Sequence, residues 1–256
     1  MDKYEELAKL ILNSKKICFF GGAGVSTESG IPDFRGENGL YLLKSKYGVS
    51  YEEILSLHFF NRDPLTFFKF YKEFMINTQA KPNYAHLFLA NLSKFKDVAI
   101  ITQNIDGLHF EAGNKNVIEL HGSIKRNYCT NCAKFYSLDE FLASFKAGLP
   151  LCNKCNHLIK PDVTLYEEPL NENVITKAII NIMDSDLLII AGTSLKVYPA
   201  NSFINYFYGD NIVVINKEKL DINRNIKLEI NDLVGKTFKK VNSFLNHLST
   251  KKEVIR

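Results

Sequence analysis

Four cysteines are arranged in two pairs with the spacing of a zinc ribbon. Cys129 and Cys132 form one Cys-x-x-Cys pair, Cys152 and Cys155 form the second, and nineteen residues separate the pairs. Two such pairs can place four thiolates around one zinc ion, and four sulfur ligands leave no position for water or substrate. The metal predicted here is therefore structural. The alternatives are a redox-active pair or two disulfides, which an intracellular chain with two matched pairs disfavours.

A glycine-rich stretch follows the first apolar run of the chain. Residues 17–20 are typical of a short buried parallel strand, and Gly21, Gly22 and Gly24 come directly after it. A strand that runs into glycines brings backbone N–H groups close to a phosphate, as in many dinucleotide sites. The third glycine of the dinucleotide fingerprint is absent, because Thr27 stands at its position. On this stretch alone, a tight turn between a strand and a helix remains the alternative.

His121 is the candidate general base. It ends a predicted strand, and Gly122 leaves open space beside its ring. Imidazole is the usual base near neutral pH. Asn104 and Asp106 follow another strand end, which we expect to lie near His121. His109 is a competing candidate, but its position in the helix after Asp106 favours a packing role.

Apolar runs alternate with helical patterns along the chain. The runs at 17–20, 98–101, 117–120, 187–191 and 212–215 predict buried strands. This alternation predicts an α/β fold with a Rossmann-like parallel sheet and helices on both faces. Ligands bind such sheets outside the carboxyl ends of the strands. The small or amide-bearing residues that follow four of these ends are Gly22 and Gly24; Gln103, Asn104 and Asp106; Gly192, Thr193 and Ser194; and Asn216 and Lys217.

Length and charge limit the classes of function. The chain has 256 residues and a formal net charge of +4, with basic residues spread along it, which argues against direct binding of nucleic acid. It contains no apolar run long enough to predict a membrane span, and its N-terminal residues lack the apolar core of a secretory signal. We therefore expect a cytoplasmic protein. Cys18, the fifth cysteine, lies in an apolar strand and is expected to be a buried structural thiol.

Six motifs together resemble those of the sirtuins, the NAD-dependent protein lysine deacylases. In chain order they are GAGVSTESGIPDFRG (22–36), TQNIDGLH (102–109), ELHGS (119–123), the four cysteines, KPDVTLYEE (160–168) and GTSLKVYPA (192–200). Each motif alone is weak, but six of them in the family's order over nearly the whole chain are highly specific.

The resemblance implies the position of NAD and the catalytic roles. His121 would be the general base that deprotonates a ribose hydroxyl, and Asn104 and Asp106 would be catalytic beside it. The residues implied to contact NAD are Gly22, Ala23, Gly24, Ser26, Asp33, Phe34, Arg35, Gln103, Asn104, Ile105, Asp106, Gly192, Thr193, Ser194, Asn216 and Lys217.

The resemblance also implies a substrate site for acylated-lysine peptides. The peptide would add as a strand between two chain edges, so that backbone hydrogen bonds dominate its affinity. The residues implied at these edges are Val163, Leu165 and Tyr166 on one side and Lys196, Val197 and Tyr198 on the other. Phe68 and Tyr71 align with a Tyr-x-x-Arg pair that binds acidic acyl groups in some members. Without that arginine, uncharged acyl groups are expected, with acetyl as the default.

Two departures from the family pattern concern these sites. Gly21 replaces a threonine often found before the GAG motif and is expected only to loosen the loop. Glu167 stands where a glycine is usual, which adds a charge and a Cβ atom at the peptide edge.

The implied reaction consumes NAD as a substrate together with an acylated lysine, and it produces nicotinamide, O-acyl-ADP-ribose and free lysine. ADP-ribosyl transfer to protein or NAD hydrolysis on the same scaffold is the alternative. A non-catalytic NAD sensor bearing zinc is a third possibility, against which the intact His121, Asn104 and Asp106 argue.

The expected architecture has two domains. Residues 1–36, 80–126 and 161–256 would form the dinucleotide-binding domain, while a helical insertion at 37–79 and a zinc module at 127–160 would form a smaller one.

Overall fold

The computed structural model describes residues 2–33 and 47–254, with side chains through residue 248. Its strands are β1 Lys16–Gly21, β2 Asp97–Thr102, β3 Val117–Glu119, β4 Gly122–Cys129, β5 Phe135–Ser137, β6 Phe145–Lys146, β7 Leu149–Pro150, β8 Ile159–Val163, β9 Leu187–Ala191, β10 Ile212–Ile215 and β11 Leu228–Ile230. Its α-helices are α1 Lys3–Asn13, α2 Tyr51–Ile54, α3 Leu57–Arg62, α4 Pro64–Phe70, α5 Tyr84–Leu92, α6 Leu108–Glu111, α7 Leu138–Ala143, α8 Glu172–Met183 and α9 Val234–Val254.

The main sheet contains six parallel strands in the order β11-β10-β9-β1-β2-β3. Side chains alternate between its two faces: Phe19 belongs to one apolar core, and Cys18 and Phe20 belong to the other. Burial of both faces explains why these strands are continuous apolar runs. The predicted α/β fold with a Rossmann-like parallel sheet is confirmed, and Cys18 is fully buried, as expected.

The chain order within this sheet creates a crevice. β1 pairs with both β2 and β9, and successive strands are added outward on either side of it. At the carboxyl ends of β1 and β9, the chain therefore leaves in opposite directions, towards β2 from β1 and towards β10 from β9. Such a switch point is where open α/β sheets bind ligands.

A smaller antiparallel sheet lies next to β3 along the chain, with the order β5-β4-β8. An aromatic cluster packs against it, and Phe67, Phe68, Tyr71 and Phe141 in this cluster are fully buried. This core is distinct from the two that cover the main sheet.

Two helix termini anchor the glycine-rich turn. Asn83 caps α5 through its side-chain oxygen, and its Nδ2 donates to the carbonyl oxygen of Val25 (2.7 Å) and to Ser29 Oγ (3.0 Å). Glu28 Oε2 accepts the backbone N–H of Gly235 at the start of α9 (2.6 Å). A carboxylate is stabilised at a helix N-terminus by the free N–H groups there. Both contacts hold the turn against helices of the main domain.

Within residues 2–33 and 47–254, no helix is both long and apolar enough to cross a membrane.

Candidate active site and zinc centre

The turn after β1 touches the turn after β9. The N–H of Gly22 donates to the carbonyl oxygen of Ala191 (3.1 Å), and that of Gly24 donates to the carbonyl oxygen of Gly192 (2.7 Å). A Cβ atom on Gly24 would lie 2.8 Å from the Cα of Gly192, and one on Gly22 would lie 2.8 Å from the Cβ of Thr193. The two glycines are therefore required for this approach. These two turns, here called the glycine cradle, meet at the switch point of the sheet, where open α/β sheets bind dinucleotides.

Replacing Gly24 with alanine is expected to raise the KM for NAD about tenfold or more and to cost about 1–3 kcal/mol of stability, because the new methyl group must displace the Gly192 turn. Steady-state kinetics and denaturant unfolding measure the two effects. Gly113→Ala is the matched control: Gly113 has a φ of +93° and open space around it, so the control should lose stability and keep the KM for NAD. A wild-type KM in Gly24→Ala would contradict the cradle.

Ser26 links the glycine turn to the residues after β2. Its Oγ donates to Asp106 Oδ2 (2.6 Å) and accepts from Asn104 Nδ2 (3.0 Å). The other Asp106 oxygen accepts the N–H of Leu108 at the start of α6 (2.9 Å). Ser26 is almost fully buried, and its hydroxyl finds both an acceptor and a donor within the protein. The structure thus brings together three residues that the sequence analysis singled out separately.

Gln103 connects the same region to the β9 turn. Its backbone N–H donates to the carbonyl oxygen of Gly21 (2.9 Å), and its Nε2 lies 3.4 Å from Thr193 Oγ1. Asn216 follows β10, and its N–H donates to the carbonyl oxygen of Ile230 at the end of β11 (3.1 Å). The sequence analysis missed β11, whose carboxyl end lies beside Asn216 and so extends the row of strand ends.

Asp33 is the last described residue before the gap at 34–46. Phe34 and Arg35, which were predicted to contact NAD, lie outside the described residues.

His121 lies in the two-residue link between β3 and β4. Its Nδ1 is 2.9 Å from the carbonyl oxygen of Gln103. A carbonyl oxygen only accepts, so Nδ1 carries the proton and the lone pair of Nε2 is available as a base. Burial lowers the pKa of His121, while the bond to Gln103 acts in the opposite direction. The ring is therefore neutral at physiological pH, as a general base must be.

Backbone contacts fix the position of His121. The N–H of Leu120 donates to the carbonyl oxygen of Thr102 (2.9 Å), and the carbonyl oxygen of His121 accepts the N–H of Thr164 (3.0 Å). Gly122 has a φ of +76°, and a Cβ atom there would overlap the carbonyl oxygen of Asp162. A glycine after His121 therefore lets β8 pair closely with β4.

His109, the competing candidate, is buried with His86 in a pair whose ring centroids lie 4.6 Å apart. Burial lowers the pKa of His86 to about 4, against the opposing influence of Asp106 and Glu111. Burial, and then repulsion from His86, lowers the pKa of His109 as well. Both rings are neutral packing groups, in agreement with the role predicted for His109.

These two histidines predict acid lability. Below about pH 6.5 the unfolded chain takes up protons that the folded chain excludes, so stability should fall by up to about 1.4 kcal/mol per pH unit for each histidine. For His86 the window extends down to about pH 4. Urea unfolding at pH 7.5, 6 and 5 measures the slope. A His109→Phe variant should show a shallower slope than the wild type, and identical slopes would contradict the assignment.

The predicted peptide edge at 163–166 already uses most of its backbone groups. The N–H of Tyr166 donates to the carbonyl oxygen of Leu55, and its own carbonyl oxygen accepts the N–H of Leu57. The N–H of Leu165 donates to Glu168 Oε2 (2.8 Å), and the carbonyl oxygen of Val163 accepts from Lys160 Nζ (3.0 Å). Val163 and Leu165 are buried, and Tyr166 is partly exposed.

Glu167 differs from these edge residues because its backbone groups remain available to bind a peptide strand. In the described part of the chain its N–H and C=O form no hydrogen bond. Its φ of +76° explains why a glycine is usual at this position. Its Oε2 accepts the N–H of His58 in α3 (2.9 Å), so the unusual side chain fastens the loop to α3.

The other predicted substrate residues differ widely in exposure. Tyr198 is 80% exposed, whereas Phe68 and Tyr71 are fully buried. The Tyr71 hydroxyl has no hydrogen-bond partner among the described residues.

The four paired cysteines converge as the zinc spacing predicts. Their Sγ atoms all lie within 4.8 Å of one another, with Cys129 at 3.3 Å from Cys155 and Cys132 at 3.7 Å from Cys152. Four thiolates at this spacing fit a tetrahedral zinc ion that has no open position. The site fits structural zinc, and it lies between the end of β4 and the start of β8.

Two repeated turns shape this centre. Ala133 (φ +55°) and Asn156 (φ +58°) each follow a Cys-x-x-Cys pair, and their N–H groups donate to the carbonyl oxygens of Cys129 and Cys152. The Tyr136 hydroxyl donates to Cys152 Sγ (3.1 Å), and such outer hydrogen bonds support thiolate ligands.

Comparison with known proteins places this geometry in a family. A profile of the Sir2 family matches residues 22–199. The chain is 53% identical over 242 residues to a protein named NAD-dependent protein deacetylase from Clostridium perfringens (strain 13 / Type A), covering 94% of this chain and 98% of that one.

Solved Sir2 structures have the same fold. One is a histidine-to-alanine variant with a deacetylated peptide and 3'-O-acetyl ADP-ribose, with a TM-score of 0.87, 36% identity, and coverage of 94% of this chain and 98% of that one. Another contains a peptide and NAD+, with a TM-score of 0.83, 35% identity and the same coverage. The chain belongs to the Sir2 family, the sirtuins.

Proposed function

We propose that this protein is an NAD-dependent protein lysine deacylase, with uncharged acyl groups as substrates and acetyl as the default. The observation that carries the proposal is the position of His121. Its neutral imidazole is fixed by the carbonyl oxygen of Gln103, whose side chain reaches Thr193 in the turn that contacts the glycine cradle. A base and a dinucleotide cradle thus share one crevice. The relatives named above as NAD-dependent deacetylases support the same reaction.

The proposed division of roles follows from this arrangement. His121 removes a proton from a ribose hydroxyl of the NAD-derived sugar through Nε2, while Gln103 holds the tautomer. Asp106 and Asn104, oriented by Ser26, stabilise positive charge on the sugar. The glycine turns after β1 and β9 hold the diphosphate. Asn216 and Lys217, together with Gly192, Thr193 and Ser194, surround the adenosine.

The acylated peptide is proposed to add as a strand between two edges. On one side it meets the loop that follows Val163, with the free backbone groups of Glu167 as its main partners, and on the other it meets the segment from Lys196 to Tyr198. Phe68 and Tyr71 are proposed to line the acyl pocket, and neither side chain supplies the cation that an acidic acyl group needs. The two-domain division stated above is proposed with the same boundaries, and the separate apolar cores support it. A cytoplasmic location is proposed from the bacterial relatives.

Mass spectrometry of NAD incubated with the protein and acetyl or succinyl peptides tests this proposal. O-acetyl-ADP-ribose and free lysine are expected, with acetyl removed faster than succinyl. ADP-ribosylated protein or free ADP-ribose would instead indicate transfer or hydrolysis, and unchanged NAD would indicate a non-catalytic protein. Faster removal of succinyl would contradict the acyl preference alone.

A further inference from the structure

A cluster of ion pairs next to His121 joins the two sheets. Arg126, on β4, donates from Nη1 to Glu119 Oε2 and from Nε to Asp162 Oδ2, each at 2.7 Å. Glu119 ends β3 and Asp162 lies on β8, so one guanidinium connects the edge strand of the main sheet to the small sheet. His121 lies in the link between β3 and β4, inside the loop that this guanidinium closes.

Glu119 is the buried member of the cluster. Its side chain is 6% exposed, against 37% for Arg126 and 42% for Asp162. Burial raises the pKa of the Glu119 carboxyl even though Arg126 and the Ser123 hydroxyl act in the opposite direction, and Asp106 raises it further. The Glu119 carboxylate is therefore buried and depends on Arg126 for its counter-charge.

The neighbouring lysines form ion pairs with carboxylates other than Glu119. Lys125 pairs with Glu111 (2.6 Å), and Lys160 pairs with Glu168 (3.0 Å). Among the residues that the structure describes, Arg126 is the cation that pairs with Glu119.

We propose that Arg126 is a positioning residue for the deacylation, on which this inference rests. It neutralises the buried Glu119 carboxylate and so holds the β3–β4 junction, and His121 with it, against β8. Arg126 itself contacts no substrate.

This role predicts an asymmetry between single and double substitutions. Removing Arg126 alone leaves the buried Glu119 carboxylate without its cation. The carboxylate must then become hydrated or protonated, and hydration requires the β3–β4 junction to shift. Removing both charges leaves a neutral site that needs no compensation. The two substitutions should therefore not be additive.

The test compares Arg126→Met, Glu119→Gln and the double variant in the deacetylation assay. Arg126→Met should lower kcat about tenfold at pH 7.5 with the KM for NAD within about twofold, and the double variant should recover to within about threefold of wild type. The deficit of Arg126→Met should shrink as the pH is lowered, because a protonated Glu119 needs no cation, and this pH dependence should vanish in the double variant. Arg126→Lys keeps the charge that Glu119 needs but loses the fork that also reaches Asp162, so its kcat should fall less than that of Arg126→Met.

Lys16→Met is the matched control, because it removes a cation paired with Asp184 at the amino end of β1, whereas the crevice lies at the carboxyl ends of the strands. It should leave kcat and its pH profile unchanged. Wild-type kcat in Arg126→Met would overturn the proposal, as would a double variant as impaired as the single one at every pH, or a lysine variant as impaired as the methionine one. An inactive wild type would refute the proposed function instead, so the two failures are distinguishable.

Discussion

Replacing His121 with alanine is expected to lower the rate of O-acetyl-ADP-ribose formation by at least about 100-fold, the range in which a general base contributes to a proton transfer. The imidazole of His121 is the proposed base: Nδ1 is bound to the carbonyl oxygen of Gln103, so the lone pair lies on Nε2. In the proposed reaction, nicotinamide is released before the step that needs this base. Peptide-dependent exchange of labelled nicotinamide into NAD should therefore persist in the variant.

His247→Ala is the matched control for this experiment. His247 is exposed on α9, and its loss should leave both measurements at wild-type values. The thermal unfolding midpoint of His121→Ala should stay close to that of the wild type, since the ring contributes one hydrogen bond and is only partly buried. Near-normal product formation in the folded variant would remove His121 from its role.

Replacing Cys152 with serine is expected to release zinc and to lower activity to less than about one-tenth of wild type, because structural zinc supplies folding energy directly. The metal centre lies at the far end of β4 and β8 from His121: Cys129 pairs with Ile159 at one end of these strands, and Gly122 pairs with Val163 at the other. Loss of the metal should loosen both strands and so displace His121. Metal analysis, thermal unfolding and the deacetylation assay measure the three consequences.

Cys18→Ala provides the matched control for the cysteine substitution. Cys18 is buried in β1 and takes no part in the four-sulfur cluster. The control should keep one zinc ion per chain and most of its activity. Full zinc occupancy in Cys152→Ser, or full activity without zinc, would contradict a structural role for the metal.

The parts of the fold that depend on local pattern could be predicted from the sequence. Strand β9 occurs at 187–191, where the apolar run places it, because all five of its residues are apolar. β11 was missed because three residues, Leu228–Ile230, carry no recognisable period. The order of strands within the sheet also depends on long-range packing that no local pattern encodes.

The zinc ligands could be found from their spacing, because tetrahedral sulfur ligation requires paired cysteines. His121 follows from a motif, and its role as the base stays a prediction. The peptide edge could be placed only approximately. The motif at 160–168 indicates an exposed strand, but Leu55 and Leu57 come from a distant part of the chain and occupy the backbone of Tyr166. The link from Ser26 to Asp106 and that from Arg126 to Glu119 are likewise contacts between distant segments, and the sequence analysis found neither.

A crystal structure with a non-reactive NAD analogue and an acetyl-lysine peptide is the most direct measurement of whether both substrates meet at His121. The nucleotide is expected in the crevice at Gly22 and Gly24, with Nε2 of His121 about 2.6–3.2 Å from a ribose hydroxyl or one water away from it. The acetyl group should lie on the same side of the ribose. A nucleotide bound elsewhere, or a His121 ring turned away from the ribose, would contradict this arrangement.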